Sequence, residues 1–143
     1  MKVIVISGAS SKVGKTTLAK SLGCLLEGAE VVKVGHGQRK PGIENHFYES
    51  GTPFRIIREN HSGATWLIVE SNSVLHEIEP DLVIYLEGES PKPSAQYARD
   101  RADIISGRPV DKDAVAALAA RLGVSTELVR KIARQAGAKC ESP

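Results

Sequence analysis

The sequence predicts an α/β fold: three layers, with a mostly parallel sheet carrying helices on both faces and a C-terminal helical hairpin. Three observations predict it. Short β-branched runs alternate with segments of helical period, as in strands joined by crossover helices. The first run, Val3-Ile4-Val5-Ile6, passes at once into GASSKVGKTT and then LAKSLGCLL, a strand, a tight loop and a helix in succession. With 41% hydrophobic but only 4% aromatic residues, the core must rest on Val, Ile, Leu and Ala.

The elements follow in order. The first strand is expected over residues 2–7, and a helix over 15–27 with Leu18, Leu22, Leu25 and Leu26 on one face and Gly28 as its C-cap glycine. A second strand covers 30–34. The polar, turn-rich stretch from Gly35 to Gly51 reads as a loop, and Pro53 opens a short helix ending near Asn60. TWLIVE (65–70) and DLVIYL (81–86) are further strands, PSAQYARDRA (93–102) is helical, and 103–105 is a short strand. Two helices close the chain. Residues 1–110 form one unit, and 111–140 a hairpin expected to pack on the same domain.

The loop after the first strand carries the chemistry. Residues Ala9 to Thr16 fit A-x-x-x-x-G-K-T, with Gly8 ahead. A helix starting at about Gly14-Lys15 gives this loop the partial positive charge of a helix N-terminus beside a row of backbone N–H groups, which is a phosphate cradle. Gly8, Ala9, Ser10, Ser11, Lys12, Val13, Gly14, Lys15, Thr16 and Thr17 are the candidate nucleotide-binding residues. Lys15 would reach the β- and γ-phosphates, and the Thr16 hydroxyl would ligate Mg²⁺. The motif makes the expected fold a P-loop NTPase-type sandwich.

Ligands of such sheets sit beyond the carboxyl ends of the strands, which selects the loops after each strand. Glu70 ends the apolar run WLIV, where a carboxylate holds Mg²⁺ or orients water; with Lys15 it is the candidate catalytic pair, and with Thr16 the candidate metal pair. Asn72 and Ser73 follow as contacts for phosphate or substrate. Lys33, His36, Arg39 and Lys40, with Glu44 and His46 beyond, make a basic cluster that reads either as an anion site or as a solvated loop. Arg99 and Arg101 resemble the arginines of a small-kinase lid, or are surface charges beside Asp100 and Asp103. The guanine-reading N-K-x-D motif is absent, and Lys92-Pro93-Ser94 and Ser106-Gly107-Arg108-Pro109 are the candidate base-holding loops, so GTP and ATP both stand.

Other classes recede. The four histidines lack zinc-ligand spacing, and Cys24 and Cys140 form no C-x-x-C pair. The N-terminal apolar run is too short for a signal-peptide core and no stretch reaches membrane-spanning length, so a cytoplasmic protein with no membrane partner is expected. A net charge of +2 is too small to argue for nucleic acid by itself. Residues 113–137 nevertheless place Ala119, Gly123 and Val129 at helix-turn-helix spacing, with Ser125 capping the second helix and Arg130, Lys131 and Arg134 on its outer surface. A hairpin closing one face of the sheet accounts for the same apolar positions.

Residues 1–86 resemble the MobB family, small P-loop nucleotide-binding proteins of molybdenum-cofactor maturation. The likeness rests on SGASSKVGKTTLAKSL, VVKVGHG, KPGIENHFYESGTPFRII, LIVES and DLVIYL, with family positions falling on Lys33, His36, Pro41, Gly42, Asn45, Tyr48, Gly51 and Glu70. Asn45 stands where the family usually has aspartate, and the chain from Lys92 onward departs from the pattern. The resemblance implies GTP binding, weak hydrolysis, a homodimer and an adaptor role with a protein partner in cofactor maturation. Three readings of function follow: a nucleotide-dependent accessory protein with slow GTPase or ATPase activity, a small-molecule P-loop kinase, and a nucleotide-responsive DNA-binding regulator acting through residues 113–137. The first is preferred, because no clear base for a substrate hydroxyl is present.

Overall fold

The computed structural model describes residues 1–10, 13–35 and 46–140. Its elements are β1 (Lys2–Gly8), α1 (Lys15–Leu25), β2 (Ala29–Gly35), β3 (Phe47–Glu49), α2 (Phe54–Asn60), β4 (Trp66–Glu70), a 3₁₀ turn (Ser73–His76), β5 (Leu82–Leu86), α3 (Ala95–Asp100), β6 (Ile104–Ile105), β7 (Pro109–Val110), α4 (Lys112–Leu122), α5 (Thr126–Gln135) and β8 (Lys139–Cys140). Six strands form one parallel sheet in the order β3-β2-β4-β1-β5-β6, and β7 and β8 pair separately.

Strand alternation divides the core in two. Ile4 and Ile6 of β1, Ile68 of β4 and Ile84 of β5 face α1, α4 and α5. Their neighbours Val5, Val69, Val83 and Tyr85 face α2 and α3. Strands covered on both sides have no polar face to show, which is why β1, β4 and β5 read as unbroken apolar runs. α/β layering with helices on both faces is therefore the architecture. No helix among the described residues is long and apolar enough to cross a membrane.

Two aspartates start strands in the same way. The Asp81 N–H donates to Val3 O at 2.9 Å, and its Oδ2 accepts the Val3 N–H at 2.7 Å. Asp103 does the same to Val83, at 2.8 and 2.9 Å. Each carboxylate extends the parallel pairing by satisfying an amide at the sheet's amino edge. Asp103 Oδ1 also accepts from Arg121 of α4 at 2.9 Å, tying the hairpin to that edge.

Several expectations are corrected. α1 ends at Leu25, not Glu27, because Leu26 turns extended (ψ 119°) and drops into the core; Gly28 lies in the following turn at φ 74°. A Cβ on Gly28 would stand 2.6 Å from Thr65 Oγ1, so glycine is required there by both space and conformation. The stretch read as one loop up to Gly51 contains β3, an edge strand pairing Phe47, Tyr48 and Glu49 with Lys33, Val34 and Gly35. Its one buried side chain is Phe47, too little apolar signal to betray a strand. Tyr48 holds it from the helix side, its hydroxyl 2.9 Å from Nε2 of buried His61, whose Nδ1 meets Glu30 at 3.1 Å. The helix expected over 93–102 is shorter, Ala95–Asp100, and the β7–β8 pair was not foreseen.

The C-terminal hairpin matches its sequence signals. Asp111 accepts the Ala114 N–H at 2.8 Å and Ser125 the Leu128 N–H at 3.1 Å, capping α4 and α5, while Gly123 ends α4 at φ 69°. Val115, Leu118, Leu122, Val129 and Ile132 join the core under α1. Lys131 and Arg134 lie on the exposed side of α5, but Arg130, expected there too, is half-buried with its Nε out of contact with solvent.

Leu22 is fully buried on α1, and Cys24, two residues on, is exposed. Leu22→Ala is expected to cost about 2–5 kcal/mol in urea unfolding, and Cys24→Ala no more than about 0.5 kcal/mol. Equal losses would mean that α1 presents a different face to the sheet.

Candidate functional site

β1 lies between β4 and β5, so the loop leaving Gly8 emerges between the loops leaving Glu70 and Leu86. All three are joined by hydrogen bonds. The Asn72 carboxamide binds Gly8 at two points: Oδ1 accepts the Gly8 N–H and Nδ2 donates to the Gly8 carbonyl, both at 2.9 Å. A side-chain amide here imitates one more residue of β4. On the other side, the Ala9 N–H donates to Leu86 O and its carbonyl accepts the Lys92 N–H, both at 3.0 Å.

Val13 then wedges back against this base. A Cβ on Gly8 or on Gly88 would lie 2.5 Å from one of its methyl groups, so only glycine fits at either point. Gly14, at φ 95°, turns the chain into α1. The first intrahelical bond of α1 runs from the Leu18 N–H to Gly14 O, and no side chain caps the helix. The N–H groups of Lys15, Thr16 and Thr17 therefore lack helical acceptors, and both threonines are exposed.

Glu70 comes to the same place through register, since it pairs with Ile6 on one side and Lys33 on the other. Its side chain is buried, and both carboxylate oxygens accept the Thr16 hydroxyl, at 2.8 and 3.0 Å. Lys33 Nζ stands 3.7 Å from Oε1. Burial pushes the Lys15 ammonium below the usual lysine range, nearby Lys33 and Lys92 push it further, and Glu70 opposes them. A hydroxyl and a carboxylate meeting at one point are hard oxygen donors, a set that suits Mg²⁺ completed by water and phosphate oxygens. No cluster of three or more His, Cys, Asp or Glu side chains fit for a metal occurs among the described residues.

These groups open onto a hollow of about 410 Å³ across the end of β4, lined by Lys15, Lys33, Glu70, Ser73, Lys92 and Ser94 among others. The larger hollow, about 570 Å³, lies toward the other end of the sheet. Of the carboxylates that line it, Asp81, Asp103 and Glu77 are engaged by backbone amides, and Asp103 also by Arg121.

The structure thus brings together Lys15, Thr16, Glu70 and Lys33. Gly8 and Ala9 shape the loop, but their own amides are committed to Asn72 and Leu86. Asn72 lines the hollow, and both ends of its amide are engaged by Gly8. Ser11, Lys12, His36, Arg39, Lys40, Pro41, Gly42, Glu44 and Asn45 lie outside the described residues. His46 is exposed, its ring 5.7 Å from that of His61. Arg99 pairs with Glu87 at 2.6 Å and Arg101 lies 3.3 Å over the Tyr97 ring, which gives both local partners. Arg108 is exposed, and its carbonyl accepts the Lys139 N–H. Sequence reasoning missed Gly88 and the bracing role of Asn72; a glycine two residues past an apolar strand, facing the loop of its neighbour, was the signal available. No family model, curated protein or solved structure matches the chain.

Removing the Asn72 amide leaves the Gly8 N–H and carbonyl without partners. Asn72→Ala is expected to cost about 1–3 kcal/mol in denaturant unfolding. Asn72→Asp should not restore it, since a carboxylate repels the Gly8 carbonyl. Wild-type stability in both variants would show the clasp to be dispensable.

Proposed function

We propose that this chain is a P-loop protein that binds a nucleoside triphosphate, ATP or GTP, with Mg²⁺. The observation carrying this reading is the contact between the Thr16 hydroxyl and the Glu70 carboxylate at 2.8 and 3.0 Å, beside Lys15 at an uncapped helix start. The triphosphate lies along the N–H groups of Lys15, Thr16 and Thr17, where the helix dipole favours negative charge. Lys15 pairs with the outer phosphates. Thr16 and Glu70 hold the Mg²⁺ ion, which offsets charge developing on the phosphate oxygens.

Catalysis by this set is modest. Among the described residues Glu70 is the one carboxylate on the wall of the hollow, and it is already engaged by Thr16 and Lys33. Slow hydrolysis therefore fits better than fast turnover. The sequence resemblance to the MobB family carries the biological half of the reading: a cytoplasmic accessory protein in molybdenum-cofactor or related cofactor maturation, acting with a protein partner.

Titration with ATP and GTP in the presence of Mg²⁺ tests the reading, and failure of both to bind overturns it. Lys15→Ala should weaken binding by at least about tenfold, about 1.4 kcal/mol. Thr16→Ala should abolish the gain in affinity that Mg²⁺ gives.

The pH dependence has a definite sign. Bound phosphates favour the lysine ammonium, while burial and two neighbouring amines lower its pKa in the free protein. Affinity is therefore full below that lowered value and falls as pH rises through it, earlier than for a solvated lysine. Lys15→Arg, whose guanidinium keeps its proton, should flatten this alkaline decline. An unchanged profile would separate Lys15 from the phosphates.

A further inference from the structure

We propose that the hollow beyond Lys15 is a second anion subsite, suited to a small molecule bearing a phosphate monoester, with Lys33 and Lys92 as its cations. This rests on the nucleotide reading of Lys15 to Thr17 and extends it to a second ligand.

Charge is the first argument. Among the described residues, three ammonium groups line the hollow against one carboxylate, Glu70, and that one is shared with Thr16 and Lys33. Amines brought together in this way repel one another unless an anion joins them. A triphosphate along the start of α1 engages Lys15. The hollow continues past it, over the end of β4, to Ser50 between β3 and α2.

The lining also supplies hydrogen-bonding groups: among the described residues, serines, lysines, Asn72 and His76 make up most of the wall. Hydroxyls from Ser50, Ser73 and Ser94 are donors suited to phosphate oxygens.

Lys92 is held to present its side chain there. Its N–H donates to Ala9 O at 3.0 Å and its carbonyl accepts the Ala95 N–H at 2.9 Å. Pro91 and Pro93 flank it, each fixing its own φ. Ser90, just before, has φ 51°, the one positive value at a non-glycine residue among the described residues. A left-handed serine in a loop bolted to the phosphate loop is strain maintained by its surroundings, a feature that concentrates at functional sites. Only the exposed ammonium of Lys92 is left to move.

The test uses the full chain, saturated with Mg²⁺ and a non-hydrolysable ATP or GTP analogue and titrated with inorganic phosphate in a calorimeter. Phosphate is expected to bind the loaded wild-type protein without displacing the nucleotide. Lys92→Glu should weaken phosphate binding by about tenfold or more and nucleotide binding by less, since Lys92 acts on the triphosphate only as a charged neighbour of Lys15, and Lys92→Gln should fall between. Three results overturn the proposal: no phosphate binding to the loaded protein, displacement of the nucleotide by phosphate, or equal weakening of both ligands by Lys92→Glu. If neither nucleotide binds, the nucleotide reading falls separately. Phosphate titrated into unloaded Lys15→Ala and Lys92→Glu then decides the subsite: it stands if binding survives the first and is lost in the second, and falls on any other pattern.

Discussion

Everything near the site depends on β1 having a strand on each side. A central parallel strand must satisfy its backbone groups toward both neighbours for its whole length, and β1 does so with β4 and β5 up to Gly8. There β4 has already finished pairing, and the Asn72 carboxamide takes over the bond that a further strand residue would make. The turn that follows is anchored on both sides before it begins. Its position relative to Glu70 is then set by strand register rather than by loop conformation.

From that anchor the electrostatics follow. Glu70 is buried by the packing of its own strand, and an isolated carboxylate in such a place is costly. Thr16 and Lys33 lower this cost, one by a hydrogen bond and one by charge. Lys15 carries the opposite strain, an ammonium partly removed from water among other amines.

Much of this was legible in the sequence, for identifiable reasons. Strands buried on both faces must be apolar throughout, so β1, β4 and β5 were visible as runs. Lys15, Thr16 and Glu70 were visible because loop spacing and a strand-ending acid fix their places. β3 was hidden because an edge strand of three residues buries only Phe47 and sits among turn formers. The bracing role of Asn72 was hidden because its amide serves a backbone many residues away. Lys92 looked like any charged loop residue; what distinguishes it is the tie to Ala9, which no local pattern encodes.

The short β7–β8 pair gives the C-terminal hairpin a topological constraint. Pro109 and Lys139 are register partners, so α4 and α5 form a loop closed at both ends and fastened beside β6. Closing it restricts the hairpin's freedom to swing away from the sheet, and the entropy of that restriction is met once, during folding. Whatever meets the outer face of α5 encounters a surface already ordered. Recognition there proceeds as between rigid bodies, with little left for a partner to organise.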